Sequence, residues 1–172
     1  KQSIMSAILL AWIASAPTLL AAAEQHLARI GDLTVRTDPA RWSAASHSPD
    51  ELLLSPTGSI SGKHDAVRIV RRKGEALQDC SALAKSQWPG DIYADPRTEV
   101  TQLGGQQAVR LTLHTRCRNA TPPGVMMCTF HHGSLYAVMS DNAITDCRKF
   151  ERVVFPQAIY FEELVRATTF GH

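Results

Sequence analysis

The chain lacks an excess of charge of either sign: 18 Lys and Arg stand against 16 Asp and Glu. That balance gives no basis for nucleic acid or anionic lipid as the main partner. No two of the four cysteines form a C-x-x-C pair, so thiol redox chemistry and zinc ribbons find no support. C-x-x-C-H is missing too, which excludes attachment of a c-type haem. There is no G-x-S-x-G elbow, since Gly133-Ser134 lacks the required flanks. Asp91, Asp95 and Glu99 lie beside Arg97 without a clear catalytic partner. The sequence therefore nominates no catalytic residue and no cofactor. Aromatic residues make up only 6% of the chain, so an aromatic interface anchor would have to be local, as at Tyr160-Phe161. The same two rings serve equally well as core residues covering a sheet.

What is present begins at the N-terminus. Lys1 precedes an uncharged apolar run from Ile4 to Ala23, which ends in Ala21-Ala22-Ala23 before Glu24. This is the layout of a secretory signal with an A-x-A-like cleavage site. The alternative is a retained anchor, because a span needs roughly 20 apolar residues. Pro17 and the small residues at the end of the run favour cleavage. The expected organisation is a signal peptide or anchor over 1–23 and one α+β domain over 24–172, exported to a periplasm. Membrane contact is then expected only through a partner or an uncleaved leader. In that compartment Cys80, Cys117, Cys128 and Cys147 are expected to form two disulfides.

From Leu27 onward, strands and turns alternate. Leu33 to Arg36, Glu51 to Leu54 and Ala66 to Val70 have strand length, with a polar turn at Asp38-Pro39-Ala40-Arg41-Trp42. Between Glu75 and Trp88 the period changes: Leu77, Cys80, Ala84 and Trp88 recur at helical spacing, and Pro89-Gly90 stops the helix. Strands are expected at Gln107 to Cys117, Val125 to His132 and Leu135 to Ser140. In the first of these Val109, Leu111, Leu113 and Cys117 share one face, and Arg110, Thr112, His114 and Arg116 the other. That alternation fits an antiparallel sheet with one solvated side. Two helices close the chain, one capped by Asp146 and running through Phe150 and Val154 to the stop at Pro156, the other over Glu162 to Thr168.

The order of these segments carries a resemblance. The Pro/Trp turn Asp38-Pro39-Ala40-Arg41-Trp42, the mid-chain helix, the Gly-preceded strand at Leu103-Gly104-Gly105-Gln106-Gln107-Ala108-Val109 and the terminal Phe161-Glu162-Glu163-Leu164-Val165 helix resemble the PsbP-like family of small accessory domains. The likeness covers most of residues 27–170. It implies an antiparallel sheet sandwiched by helices, and a supporting role in a larger complex in place of catalysis. The cysteines depart from the family, which does not depend on a disulfide framework, and no functional residue carries over.

Cys117 and Cys128 flank the Pro122-Pro123-Gly124 loop, so we expect them to be opposed, with Cys80 joined to Cys147; Cys80–Cys117 with Cys128–Cys147 is the alternative. The first pairing brings His114 opposite His131, with Cβ atoms about 5 Å apart, and turns His132 to the other face. Two imidazoles alone are too few for a metal site, so no metal is expected. Arg68 and Arg72 project together from a basic run, either to dock an acidic partner or as protective charges on an edge strand. Asn119-Ala120-Thr121 matches a glycosylation sequon, a weak three-residue signal. These features suggest a non-catalytic exported accessory or assembly subunit. It would bind and stabilise a larger membrane-associated complex, such as a bacterial multi-subunit dehydrogenase, by way of Arg68, Arg72, Tyr160 and Phe161. The alternative is a free-standing periplasmic small-ligand-binding or hydrolase-inhibitor protein with a deep pocket.

Overall fold

A computed structural model of the chain describes residues 26–57, 66–88, 90, 92–117, 123–140, 147 and 157–171. The leader at 1–23, the helix expected from Asp146 to Val154, the sequon at Asn119 and Asp91 lie outside the described residues.

The chain folds as α+β. Strands β1 (His26–Ile30) and β2 (Leu33–Thr37) form a hairpin, and β10 (Thr168–Phe170) adds to it, giving a three-stranded sheet in the order β1-β2-β10. A seven-stranded sheet contains β3 (Trp42–Ser48), β4 (Glu51–Pro56), β5 (Val67–Lys73), β6 (Arg97–Leu103), β7 (Gln106–Leu113), β8 (Gly124–His131) and β9 (Ser134–Ser140). Its order is β3-β4-β5-β9-β8-β7-β6, with every pairing antiparallel. Helix α1 (Cys80–Gln87) follows a 3-10 turn at Leu77–Asp79, and α2 (Gln157–Arg166) precedes β10.

Both faces of the large sheet are covered, which its sequence pattern only half reveals. Val70, Leu111, Leu113, Met126, Cys128, Leu135, Ala137 and Met139 pack with Cys80, Ala84 and Trp88 of the α1 region. On the other face Leu52, Leu54, Val67, Ile69, Ala108, Met127, Tyr136 and Val138 pack with Leu33 and Val35 of the small sheet and with Phe161 and Leu164 of α2. The expected solvated side is therefore corrected. Arg110, on that side, lies 5.9 Å from the Phe161 ring centroid and pairs with Glu162 at 2.6 Å. Polar residues there meet helix α2 as well as water.

The disulfides also differ from expectation. They join Cys80 to Cys128 and Cys117 to Cys147, with Cα atoms 6.1 and 5.5 Å apart. The register supplies the reason. Cys128 lies in mid-strand opposite Val109, and β7 ends at Leu113, before Cys117. Cys117 thus never opposes Cys128, which instead faces α1 and meets Cys80 at that helix's first residue. The same register removes the His114–His131 pair, because β7 ends at Leu113 opposite Gly124, at the other end of β8 from His131. Strand β5 sits between β4 and β9, so Arg68 and Arg72 do not lie on an edge strand.

Gly124 opens β8 directly beneath Trp88, and a Cβ there would fall 2.6 Å from its Cε2 atom. Glycine is needed for close approach of the two segments.

Cys80 and Cys128 are buried at 2% and 0% exposure, and the bridge spans 48 residues. Loop-closure entropy assigns such a bridge about 4 kcal/mol. We expect Cys80→Ala with Cys128→Ala to lower stability by about that amount in equilibrium urea unfolding. Non-reducing peptide mapping should recover Cys80 linked to Cys128 and Cys117 linked to Cys147.

Candidate functional site

Two hairpin turns far apart in sequence meet at one corner of the molecule. The first, Gly31-Asp32, joins β1 to β2. Gly31 has φ +56°, and a Cβ there would lie 2.5 Å from Arg71 Nη1 and 2.6 Å from the Tyr136 hydroxyl. Only glycine satisfies both the left-handed backbone and the close approach. The second turn, His132-Gly133, joins β8 to β9 with φ values of +44° and +74°. Positive φ at both central residues is the type I′ geometry that suits the twist of a two-residue hairpin. Histidine is an uncommon occupant of such a position, which Asn or Gly fills at less cost.

The Asp32 backbone is fixed from both sides. Its N–H donates to the Tyr136 hydroxyl at 3.1 Å, and its carbonyl accepts from the Gly171 N–H at 2.9 Å. Its carboxylate Oδ2 lies 3.1 Å from His132 Nδ1. The His131 and His132 rings stack with centroids 3.9 Å apart, and His131 also lies 4.6 Å from the Phe170 ring. Phe170 in turn meets Tyr136 edge to face at 5.2 Å. Asp32, His131 and His132 each offer one donor atom, and these atoms all fall within 4.8 Å of one another. His131 Nε2 is buried and has no hydrogen-bond partner among the described residues.

Arg71 supports this corner from below. Its Nε–H donates to Asp50 Oδ1 at 2.6 Å, and its backbone N–H donates to the Asp50 carbonyl at 2.9 Å. The hydrogen bond to Asp50 raises the Arg71 pKa above its ordinary value; burial opposes this, and the Tyr136 hydroxyl adds to the rise. The guanidinium is thus a fixed positive charge.

The residues expected to meet a partner are dispersed. Arg68 pairs with Glu51 at 3.2 Å, and Arg72 is exposed at the far end of β5. Their alternation holds, so both project on the α1 face. Phe161 is 2% exposed and belongs to the core, while Tyr160 packs edge to face on Trp42 at 5.6 Å. Of the two roles open to Tyr160-Phe161, their placement supports covering the sheet. Sequence reasoning missed Asp32 and the His131–His132 stack. Gly31-Asp32 is a hairpin-turn signal, and Gly133 marks the second turn only by its glycine. Their meeting across 100 residues depends on how the two sheets dock.

On the α1 face, two apolar side chains remain uncovered: Val100 at 70% and Phe130 at 48% exposure. Phe130 borders an open depression with Ala76, Leu77 and Gln107. The helix on this face has eight residues.

No protein-family model matches the chain, and no curated protein sequence is similar to it. Among solved structures it is similar to the solution structure of cyanobacterial PsbP (CyanoP) from Synechocystis sp. PCC 6803. The identity is 9% and the TM-score 0.52, over 92% of this chain and 99% of that one. The likeness is one of fold: the chain has a PsbP-like architecture. Two disulfides fit an exported or lumenal protein, and among the described residues no helix is long and apolar enough to cross a membrane.

Because Tyr136 is 1% exposed and its hydroxyl accepts the Asp32 N–H, Tyr136→Phe strands that donor. The expected loss is about 0.5–1.5 kcal/mol in urea unfolding. Local hydrogen exchange at Asp32 should accelerate more than exchange in mid-β9.

Proposed function

We propose that this protein is an exported, non-catalytic accessory subunit that binds and stabilises a larger membrane-associated complex. The observation that carries this reading is the PsbP-like fold, which extends over 92% of the chain. The host we assign is a bacterial multi-subunit dehydrogenase whose redox centres lie in other chains. By binding the folded form of that partner and not the unfolded one, the subunit would stabilise it by mass action.

The contact is assigned to the α1 face. Val100 and Phe130 expose apolar surface on one side of the short helix, and Arg72 projects on the other. An apolar centre with a charged margin is the usual anatomy of a protein interface. Tyr160 and Phe161 contribute through the core that holds the sheet, and periplasmic delivery depends on the leader at residues 1–23.

The test is affinity purification of endogenously expressed, C-terminally tagged protein from mildly solubilised membranes, with the mature N-terminus read from the same sample. Stoichiometric recovery of a multi-subunit dehydrogenase is the expected result. Val100→Glu combined with Phe130→Glu should abolish recovery without changing the thermal midpoint, since both positions are solvent-exposed. A monomer in the soluble fraction, beginning at Glu24 and without stoichiometric partners, overturns the reading.

A further inference from the structure

We infer that Asp32, His131 and His132 form a binding site for a single zinc-type divalent transition-metal ion, which clasps the small sheet to the large one. Three features carry this inference. The donor set is two imidazoles and one carboxylate, with the donor atoms within 4.8 Å of one another. Nitrogen and oxygen donors of this kind suit zinc and its transition-metal neighbours better than calcium or magnesium, which take oxygen ligands.

The spacing also fits. His132 Nδ1 and Asp32 Oδ2 are 3.1 Å apart. Neighbouring donors around an ion with bonds of about 2.0–2.1 Å are separated by about 3.0–3.4 Å. The ion would take the place of the His132–Asp32 hydrogen bond, with the neutral His132 imidazole ligating through Nδ1 and carrying its proton on Nε2. His131 would have to rotate to join the same shell, and its buried Nε2 has no hydrogen-bond partner among the described residues. Asp32 and His132 are exposed, so water completes the coordination.

The third feature is preorganisation around the donors. Tyr136 and Gly171 hold the Asp32 backbone, and Phe170 backs the His131 ring. His132 keeps an imidazole at φ +44°, a backbone conformation in which asparagine would be easier to accommodate. Backbone strain of this kind often marks a functional position.

The experiment uses the chain as it accumulates in the producing cell, freed of metal by chelator and titrated with zinc against a chromogenic zinc indicator. We expect one zinc per chain. His132→Asn preserves the left-handed turn and removes the imidazole; it and Asp32→Asn should each weaken affinity by about tenfold or more. His114→Gln, outside the cluster, should leave binding unchanged. Zinc should also slow hydrogen exchange of the Asp32 and Gly171 amides in the wild type and not in His132→Asn. No saturable zinc binding, or binding that survives His132→Asn and Asp32→Asn, overturns the inference. Circular dichroism of each variant separates ligand loss from misfolding. If a variant is unfolded, the exchange measurement on the wild type decides: protection confined to this corner supports the site, and its absence refutes it.

Discussion

All seven residues of β9 are buried, and β8 is buried over its first six. A strand so enclosed must have its backbone groups paired on both sides and apolar material on both faces. Most of the remaining architecture follows from that requirement. Strands β5 and β8 supply the hydrogen bonds, helix α1 and the Cys80–Cys128 bridge close one face, and α2 with the small sheet closes the other. Tyr136 links these layers. It is buried in the middle of β9, yet its hydroxyl reaches the Asp32 backbone in a different sheet. A residue of the central strand therefore sets the position of a surface turn.

Local periodicity made much of the framework legible. The strands around Leu33, Glu51, Val67, Val109, Val125 and Leu135 and the helix bearing Cys80 and Ala84 all lie where apolar spacing put them. The two edge strands were not legible. In β3 every residue after Trp42 is exposed, and in β6 the first four residues are. Neither carries the alternation that half-burial imposes, so the sequence holds no periodic record of them. Strand β10 has only three residues and continues directly from a helix. Its place beside β2 is a tertiary fact.

The polar corner follows the same logic at longer range. Each turn is encoded by glycine at a positive-φ position, but the distance between Asp32 and His132 is encoded by the docking of two sheets. The disulfide pattern shows how sensitive such inferences are to register. Proximity in sequence suggested that Cys117 and Cys128 oppose one another. Strand β7 ends at Leu113 opposite Gly124, so Cys117 lies beyond the ladder while Cys128 pairs across from Val109, and the cysteines join differently.

The bridges cross in the chain, the first cysteine joining the third and the second joining the fourth. In chain order Cys80 and Cys117 both precede Cys128, and those two are not native partners. A Cys80–Cys117 bridge formed before Cys128 is available has to be reopened by a thiolate before the native pair can close. Cys80 and Cys128 are almost wholly enclosed in the finished protein, so this exchange has to be complete before α1 settles on the sheet. Any such correction of the pairing is thereby confined to the time before the core closes.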